Sequence, residues 1–266
     1  MIPAKFDYVR AGSVSEAIAL LDKYGDEAKL LSGGHSLIPA MKLRLNRPAV
    51  LIDIGHLSEL KSITEEGDEV VVGANCTHKQ IATSELIASQ ASVLAEAAKT
   101  IGDVQVRNRG TIGGSLAHAD PAADYPAALL AAEAQIEVEG KSGRRKIPAA
   151  DFFQGMYTTA LADDEVVVAV RLPKGSQGIY EKFFQPASRF AIVGVAVVKR
   201  NGGVQVGITG ASDTPYRATA VEQAYAEKGV DAAELAAEGV DMMEDHFADA
   251  AYRAHLAKVL TRKALA

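Results

Sequence analysis

The sequence predicts an α+β fold, with mixed α/β units in the first two thirds of the chain and an antiparallel sheet with helices in the last third. Three observations support this prediction. Short apolar stretches alternate with helical patterns through most of the 266 residues. The segment Pro173–Gly178 has the composition of a linker. Beyond it, three strand-like stretches follow one another, and a helical period then runs from Ala218 to Leu265.

These changes in pattern also predict the domain division. We expect one domain over residues 1–175, with subdomains at about 1–56 and 57–175, and a second domain over 176–266. A chain of this length with 48% hydrophobic residues can bury a sizeable core.

The elements of the first subdomain form a small βαβ unit. Ser13 and Glu16 have the spacing of a capping box that opens a helix through Leu21. The remaining predicted elements are a strand at Ala28–Leu31, a short helix at Leu37–Leu45 that Pro48 stops, and a buried strand at Val50–Ile54.

The second subdomain begins with a predicted hairpin around the charged turn Glu65–Asp68, and Thr77 and Gln80 then repeat the capping-box spacing. Between Ile101 and Ala119 no regular period persists, which predicts a functional loop. The other predicted elements are strands at Leu60–Thr64 and Glu69–Gly73, a helix at Ala91–Thr100, an alanine-rich helix to Ala132 capped by Asp124, and strands at Gln135–Glu139, Lys146–Pro148 and Val166–Leu172.

In the last domain the dipeptide Asn201-Gly202 is the strongest hairpin signal of the chain. It predicts a three-stranded antiparallel sheet built from Ile179–Phe184, Phe190–Arg200 and Val204–Ala211, with helices on one face.

The composition excludes several classes of protein. A net charge of −6 with interspersed signs argues against a nucleic-acid-binding or anionic-membrane surface. The longest apolar run, Phe190–Val198, is far shorter than the roughly 20 residues that span a bilayer, and the start of the chain lacks the apolar core of a signal peptide. We therefore expect a cytoplasmic protein without a transmembrane segment. A lone cysteine, Cys76, excludes a disulfide framework and any cysteine-ligated iron–sulfur cluster built by this chain alone.

Two segments that contain a glycine pair are the best candidates for a binding site. Each lies beside an apolar stretch and is followed by a hydroxyl residue, so each could bring backbone N–H groups close to an anion. A diphosphate would fit between two such segments, although either pair taken alone is also compatible with a simple turn. Neither segment has the Walker or the Gly-x-Gly-x-x-Gly spacing. The candidate residues are Ser32, Gly33, Gly34, His35, Ser36 and Leu37 in the first segment, and Gly110, Thr111, Ile112, Gly113, Gly114 and Ser115 in the second.

The remaining polar candidates give no catalytic set. The six histidines lack metal-ligand spacing, which argues against a zinc site. Asp120 and Asp124 could form an acid pair, but turn formation explains Asp120 and helix capping explains Asp124, and we favour these structural roles. Arg107 and Arg109 could offset the charge of a diphosphate, form a salt bridge between subunits, or lie on a solvated face. The interpretation that remains is that this chain binds a cofactor and has no catalytic acid or base of its own.

The stretches 31–48 (LSGGHSLIPAMKLRLNRP) and 101–132 (IGDVQVRNRGTIGGSLAHADPAADYPAALLAA) closely resemble the FAD-binding medium subunits of molybdenum hydroxylases, those of carbon monoxide dehydrogenases in particular. The resemblance covers essentially the whole chain. It implies a flavin domain of the vanillyl-alcohol-oxidase type, made of two α/β subdomains, followed by the smaller C-terminal domain.

The resemblance also implies roles for individual residues. Ser32–Leu37 and Gly110–Ser115 would hold the diphosphate of a non-covalently bound FAD through backbone N–H groups. Asp124 would bond the adenosine side, and Lys182 and Phe190 would lie near the isoalloxazine ring. Two apolar residues would pack against the flavin, namely Ile101 and Leu161. Arg189 stands where an acidic residue is frequent in the family.

The implied function is electron transfer within a complex. A small subunit would carry two [2Fe–2S] clusters, a large subunit would carry the molybdenum–pterin cofactor, and FAD would pass electrons to an external acceptor. The assembly would be a dimer of heterotrimers, and an association with the inner face of the membrane through that complex stays open. The substrate and the acceptor are not encoded in this chain. A self-sufficient flavin oxidase and a non-enzymatic nucleotide-binding module stay open as alternatives.

Overall fold

A computed structural model describes residues 1–200 and 202–266 of the chain. The predicted α+β class is confirmed: a three-stranded, a five-stranded and a four-stranded sheet are each packed against helices, with a two-stranded ribbon beside them. Asn201, one half of the predicted hairpin turn, lies outside the described residues.

The first sheet is parallel, in the order β1-β3-β2. Helix α1 buries Val14, Ala17, Ile18 and Leu21, a spacing that places all four side chains on one helical face. Its elements are β1 (Asp7–Arg10), α1 (Val14–Tyr24), β2 (Ala28–Leu31), α2 (Leu37–Lys42) and β3 (Val50–Asp53).

Only half of the predicted capping box at α1 is formed. The side chain of Ser13 accepts the Glu16 N–H, as predicted. The Glu16 carboxylate accepts instead from the backbone N–H of Gly12 at 2.6 Å, one residue before the cap.

The second sheet is antiparallel throughout, in the order β4-β5-β10-β6-β7. Its apolar face packs on helices α3, α5 and α8, while the opposite face carries an ion-pair network centred on Arg171. Its elements are β4 (Ile63–Glu66), β5 (Glu69–Gly73), α3 (His78–Thr83), α4 (Glu85–Gln90), α5 (Ser92–Thr100), α6 (Val104–Arg109), α7 (Ile112–His118), α8 (Tyr125–Ala131), β6 (Gln135–Gly140), β7 (Gly143–Pro148), α9 (Ala149–Phe152), β8 (Phe153–Gly155), β9 (Thr158–Thr159) and β10 (Val166–Pro173).

The predicted loop between Ile101 and Ala119 is wrong. The structure has two short helices there, α6 and α7, each opened by a side-chain cap, Asp103 and Thr111. Helices of six and seven residues are too short to show a period, and the glycine pair at 113–114 hides the second one because glycine disfavours helix interiors. The capping box of Thr77 and Gln80 at α3 is formed as predicted.

The third sheet is antiparallel, in the order β11-β12-β13-β14. The three predicted strands are present, and the structure adds a fourth of two residues, which the sequence pattern is too short to reveal. Helices α10 and α11 cover one face, as predicted, and α5 and α8 cover the other, so β12 is buried on both sides. The elements are β11 (Gly178–Phe184), β12 (Ala191–Arg200), β13 (Gly203–Thr209), β14 (Tyr216–Arg217), α10 (Thr219–Lys228) and α11 (Ala250–Leu265).

Within the described residues, no helix combines the length and the apolar character that crossing a membrane requires.

Candidate functional site

The first glycine segment, residues 32–37, turns the chain from β2 into α2. Gly34 has φ +72°, a left-handed conformation that glycine adopts without a steric penalty. Among the hydrogen bonds within the described residues, the N–H groups of Gly33, Gly34, His35 and Ser36 donate to no acceptor. Consecutive backbone donors that are free in this way are available to bind an anion such as a phosphate. The predicted bare N–H groups are therefore present in this segment.

The second glycine segment, residues 110–115, is built differently. The Gly113 N–H donates to the Ala74 carbonyl at 2.8 Å, and the Gly114 N–H donates to the Thr111 hydroxyl at 3.2 Å. The N–H groups of Gly110, Ile112 and Ser115 also donate to backbone carbonyls. The prediction of bare N–H groups is wrong here, because the pair 113–114 lies in the first turn of α7 and its donors are used for the cap and for strand contacts.

Glycine is nevertheless required in the second segment, because the backbone packs closely there. A Cβ atom on Gly113 would lie 2.6 Å from the Cβ and 2.9 Å from the carbonyl oxygen of Ala74. A Cβ atom on Gly110 would lie 2.5 Å from Nε2 of His78. Real Cβ atoms do not approach neighbouring atoms so closely. Any side chain at Gly110 or Gly113 would therefore displace the second segment from His78 or Ala74, against which it packs.

The two segments contact each other directly. The hydroxyls of Ser32 and Thr111 are 3.0 Å apart, and a Cβ on Gly33 would overlap the Arg109 carbonyl oxygen. The buried side chain of Asn75 connects this junction to the first subdomain. Its side-chain oxygen accepts from the Ser32 hydroxyl at 2.6 Å, and its amide donates to the Ile54 carbonyl at 2.6 Å. The predicted pairing of the two segments around one site is therefore consistent with their positions.

Asn75 is a residue that the sequence reasoning missed. It is a buried amide that directly follows the apolar run of β5, and a lone polar residue in such a place signals a required hydrogen bond.

His78 lies beneath the second segment and was also missed. Its N–H donates to the Gly110 carbonyl at 3.0 Å, and its Nδ1 lies 2.9 Å from the Tyr125 hydroxyl. Burial lowers the pKa of His78 to about 4, and the positive charges of His35 and Arg107 act in the same direction. The imidazole is therefore neutral at physiological pH. The sequence offered one indication of a structural role for His78, its position directly after Thr77, the predicted cap of α3.

Asp124 does not cap α8, contrary to the prediction. The residue has helical backbone angles and makes no cap bond. Its buried carboxylate accepts instead from the Tyr180 hydroxyl at 2.6 Å and from the Lys182 ammonium at 2.9 Å. Burial raises the pKa of Asp124, while Lys182 and the hydroxyls around it oppose that rise.

Asp124 and Lys182, for which separate roles were predicted, form an ion pair in the structure. Both side chains are almost fully buried and touch each other, and Lys182 also donates to the Thr100 carbonyl at 3.2 Å. The roles expected for the two residues toward the adenosine and the isoalloxazine ring stay predictions.

Phe190 is 44% exposed and lines a cavity of about 530 Å³. Tyr157 and Phe247 supply further aromatic walls, and Asp120 and Asp213 lie among the polar lining residues. Neither glycine segment contributes to the lining. The backbone of Tyr157 and that of Arg189, next to Phe190, have φ of 56° and 63°, conformations that are strained for non-glycine residues.

The contacts of the remaining candidates lie within the chain. Ile101 and Leu161 are partly buried and pack against the main core. Arg107 donates to the carbonyls of Ile101 and Gly102 at 2.9 Å, whereas Arg109 is exposed. The Asp120 carboxylate accepts the Ala122 N–H at 2.9 Å, which confirms its role in a turn.

In residues 1–200 and 202–266, no group of three or more histidine, cysteine or acidic side chains is arranged to hold a metal ion. His255 is exposed on α11 as predicted, but His246 lies in an irregular segment rather than on a helix. Cys76 is buried, and this burial raises the pKa of its thiol to about 11.

Comparison with known proteins decides the family. Residues 4–175 match the family described as the FAD binding domain in molybdopterin dehydrogenase, and residues 179–266 match the CO dehydrogenase flavoprotein C-terminal domain. The chain belongs to this family of FAD-binding oxidoreductase components. The resemblance seen in the sequence is thereby confirmed, and FAD is the cofactor of the family.

Relatives match along the full chain. The carbon monoxide dehydrogenase medium chain of Hydrogenophaga pseudoflava is 42% identical, with 100% of this chain and 97% of the relative covered. The glyceraldehyde dehydrogenase medium chain of Sulfolobus acidocaldarius is 36% identical, with 99% and 98% covered.

Solved structures agree with these relatives. The carbon monoxide dehydrogenase of Hydrogenophaga pseudoflava that lacks the Mo-pyranopterin moiety of the molybdenum cofactor matches with a TM-score of 0.95, at 43% identity, over 100% of this chain and 97% of that one. Quinoline 2-oxidoreductase from Pseudomonas putida 86 matches with a TM-score of 0.93, at 28% identity, over 100% and 97%.

Proposed function

We propose that this chain is the FAD-binding electron-transfer subunit of a molybdenum hydroxylase. The observation that carries the proposal is the row of free N–H groups from Gly33 to Ser36. It directly follows Ser32, whose hydroxyl contacts that of Thr111 at the junction of the two glycine segments. The N–H groups supply fixed positive dipoles, so the site fits the diphosphate of FAD. The family match assigns the same cofactor.

The two glycine segments have different tasks in this proposal. Ser32–Leu37 binds the diphosphate through its backbone donors, and His35 is exposed at the edge of the segment. Gly110–Ser115 serves chiefly as a rigid wall, with the hydroxyls of Thr111 and Ser115 as its polar groups. FAD is held without a covalent bond.

The buried cluster of Asp124, Tyr180 and Lys182 contacts the flavin-binding region as one unit, rather than at two ends of the cofactor. Phe190 lies at the ring side, where the cavity gives access, and Ile101 and Leu161 form part of the apolar wall.

We also propose a domain boundary close to residue 175, with FAD bound within residues 1–175 and its ring side completed by residues 176–266. The two family matches, which end at 175 and begin at 179, support this division.

FAD supplies the redox chemistry: it receives electrons from the [2Fe–2S] clusters of a small partner subunit and passes them to an external acceptor. A large partner subunit holds the molybdenum cofactor and oxidises the substrate, which we propose to be carbon monoxide because two relatives, at 42% and 37% identity, are carbon monoxide dehydrogenase medium chains. The lone cysteine of this chain agrees with clusters that are held elsewhere. The complex is a dimer of heterotrimers in the cytoplasm.

Flavin analysis of the purified full chain tests this proposal. Acid precipitation is expected to release about one FAD per chain into the supernatant. Dithionite should reduce the bound flavin, whereas carbon monoxide should reduce it only after the partner subunits are added. Absence of flavin, or a yellow pellet, would contradict the cofactor assignment. Bleaching by a substrate in the isolated chain would favour a self-sufficient oxidase instead.

A further inference from the structure

The segment immediately after α2 carries an unusual surface. Residues 42–47, which we call the basic protrusion, have the sequence Lys-Leu-Arg-Leu-Asn-Arg. Three cations and no carboxylate lie within these six residues, although the net charge of the whole chain is −6. The protrusion is therefore a local reversal of the sign of the surface charge.

The protrusion also exposes apolar surface. Leu45 is 80% exposed and Leu43 is 53% exposed, while Met41, at the end of α2, is buried and anchors the segment. A single exposed leucine is ordinary in a soluble protein. Two in three residues, flanked by cations, form a combined apolar and basic surface typical of a binding site.

The cations of the protrusion form no ion pair within the described residues. Among residues 1–200 and 202–266, none of Lys42, Arg44 and Arg47 forms an ion pair with a carboxylate. Each of these side chains is exposed. Their charges are free to meet carboxylates on another molecule.

The backbone of the protrusion is fixed rather than loose. The N–H groups of Leu45 and Asn46 both donate to the Ala40 carbonyl, at 3.0 and 3.4 Å, and the Arg47 guanidinium donates to the Arg44 carbonyl at 3.2 Å. Arg44 is held at φ 64°, a left-handed conformation that L-residues other than glycine rarely adopt. A surface that is already ordered loses little conformational entropy when a partner binds.

We infer that the basic protrusion is the docking site for a partner subunit of the complex, and that the partner presents carboxylates around an apolar depression that receives Leu43 and Leu45. Charge complementarity selects this occupant: the cations steer an acidic surface, and the leucines supply the buried area that holds it. The inference rests on the proposed function, since it takes the partner from the same assembly.

Titration of the full chain against the immobilised assembly of the iron–sulfur and molybdenum subunits tests this inference, at low and at high salt. The double substitution Leu43→Ser with Leu45→Ser should raise Kd about 30-fold, because central apolar contacts dominate interface affinity. Arg44→Gly should raise Kd about fivefold and flatten its salt dependence. Glycine accepts the left-handed backbone at this position, so this variant removes the charge without adding strain.

Val259→Ser on α11 is the matched control, because Val259 is an exposed apolar residue outside the protrusion. It should leave Kd unchanged. All variants should keep the FAD content and the melting temperature of the wild type, since both leucines and Arg44 are exposed.

Three results would overturn the inference while leaving the proposed function in place. One is a Kd of the double variant equal to that of the wild type. Another is loss of FAD in the protrusion variants, which would assign the segment to the cofactor site. The third is loss of binding to anionic lipid vesicles with Kd unchanged, which would assign the segment to a membrane surface. If the wild-type chain does not bind the partner assembly at either salt concentration, the proposed function fails and this inference fails with it.

Discussion

The two glycine segments look alike in the sequence and differ in the structure. Both contain adjacent glycines followed by a hydroxyl residue, yet segment 32–37 leaves its N–H groups free and segment 110–115 uses its own. In the first, Gly34 is needed for its backbone angle. In the second, Gly113 is needed because Ala74 leaves no room for a side chain. The same dipeptide therefore serves ligand binding in one place and close packing in the other.

The largest effect should come from filling the space beside Ala74. Gly113→Val places a Cβ 2.6 Å from a neighbouring Cβ, and we expect it to lower the free energy of unfolding by about 3 kcal/mol, the upper end of typical overpacking costs. Urea denaturation of the FAD-free chain measures this. Gly203→Val is the control, since the nearest atom to its Cβ would be 3.8 Å away. Equal stability of the two variants would remove the packing explanation.

A pH effect of similar size should arise from His78, which supports only the second segment. The pKa of His78 is about 4 in the folded state, below the ordinary value of 6.5. Between these two pH values the imidazole is protonated in the unfolded chain but neutral in the folded chain. Stability should therefore be unaffected above pH 6.5 and should fall as the pH drops towards 4, by about 3 kcal/mol in total.

His78→Gln keeps a hydrogen-bonding group without a titrating one, so its stability should vary less across this pH window. Urea midpoints at several pH values, compared with those of the wild type, give the difference. Parallel pH profiles for the two proteins would show that His78 is not the titrating group.

The first segment should respond in FAD affinity instead of stability. Ser36→Pro deletes one of the four free donors, and we expect FAD to bind about tenfold more weakly, the value of roughly one hydrogen bond to a charged group. Ser36→Ala keeps the N–H group and removes a side chain that makes no cap bond, so it should bind FAD normally. Flavin fluorescence titration of the apoprotein distinguishes the two, and equal affinities would argue against diphosphate binding by these N–H groups.

The smallest effect should come from the contact that joins the segments. Ser32→Ala removes the hydroxyl that bonds Asn75 and faces Thr111, at an expected cost of about 1 kcal/mol in stability. Thr111→Val removes the other hydroxyl together with the cap of α7, at a similar cost of about 1 kcal/mol. The double variant should lose less than the sum of the two single variants, because both disrupt one junction. Strict additivity in thermal unfolding would mean that the two segments are energetically independent.

The sequence predicted most of the strands and the longer helices, because their patterns extend over enough residues to show a period. It missed α6 and α7, which are stabilised by their caps and by tertiary contacts rather than by helix propensity. Asp124 shows the same limit at a single residue. Its position before an apolar helix favours a helix cap. In the structure the carboxylate instead accepts hydrogen bonds from Tyr180 and Lys182, which lie more than 50 positions later in the chain.

The sequence predicted which segments form the candidate site, but not the different roles of the two segments. Residue types identified both glycine segments, and only the three-dimensional arrangement shows which N–H groups are already used. Asn75 and His78 escaped notice because their importance depends on neighbours that the chain brings from far away, Ser32 in one case and Tyr125 in the other.

Strand β12 is covered by helices on both of its faces, and this has a consequence for how the chain can be divided. One side of its sheet packs on α5 and α8, which lie within residues 1–175. Gly207 lets α8 approach so closely that a side chain there would overlap the Ala127 carbonyl. A fragment that ends at residue 175 would leave that wall of α5 and α8 uncovered and prone to aggregation. The two family matches that meet near this residue therefore share one buried core, and we expect the chain to be expressed and engineered best as a whole.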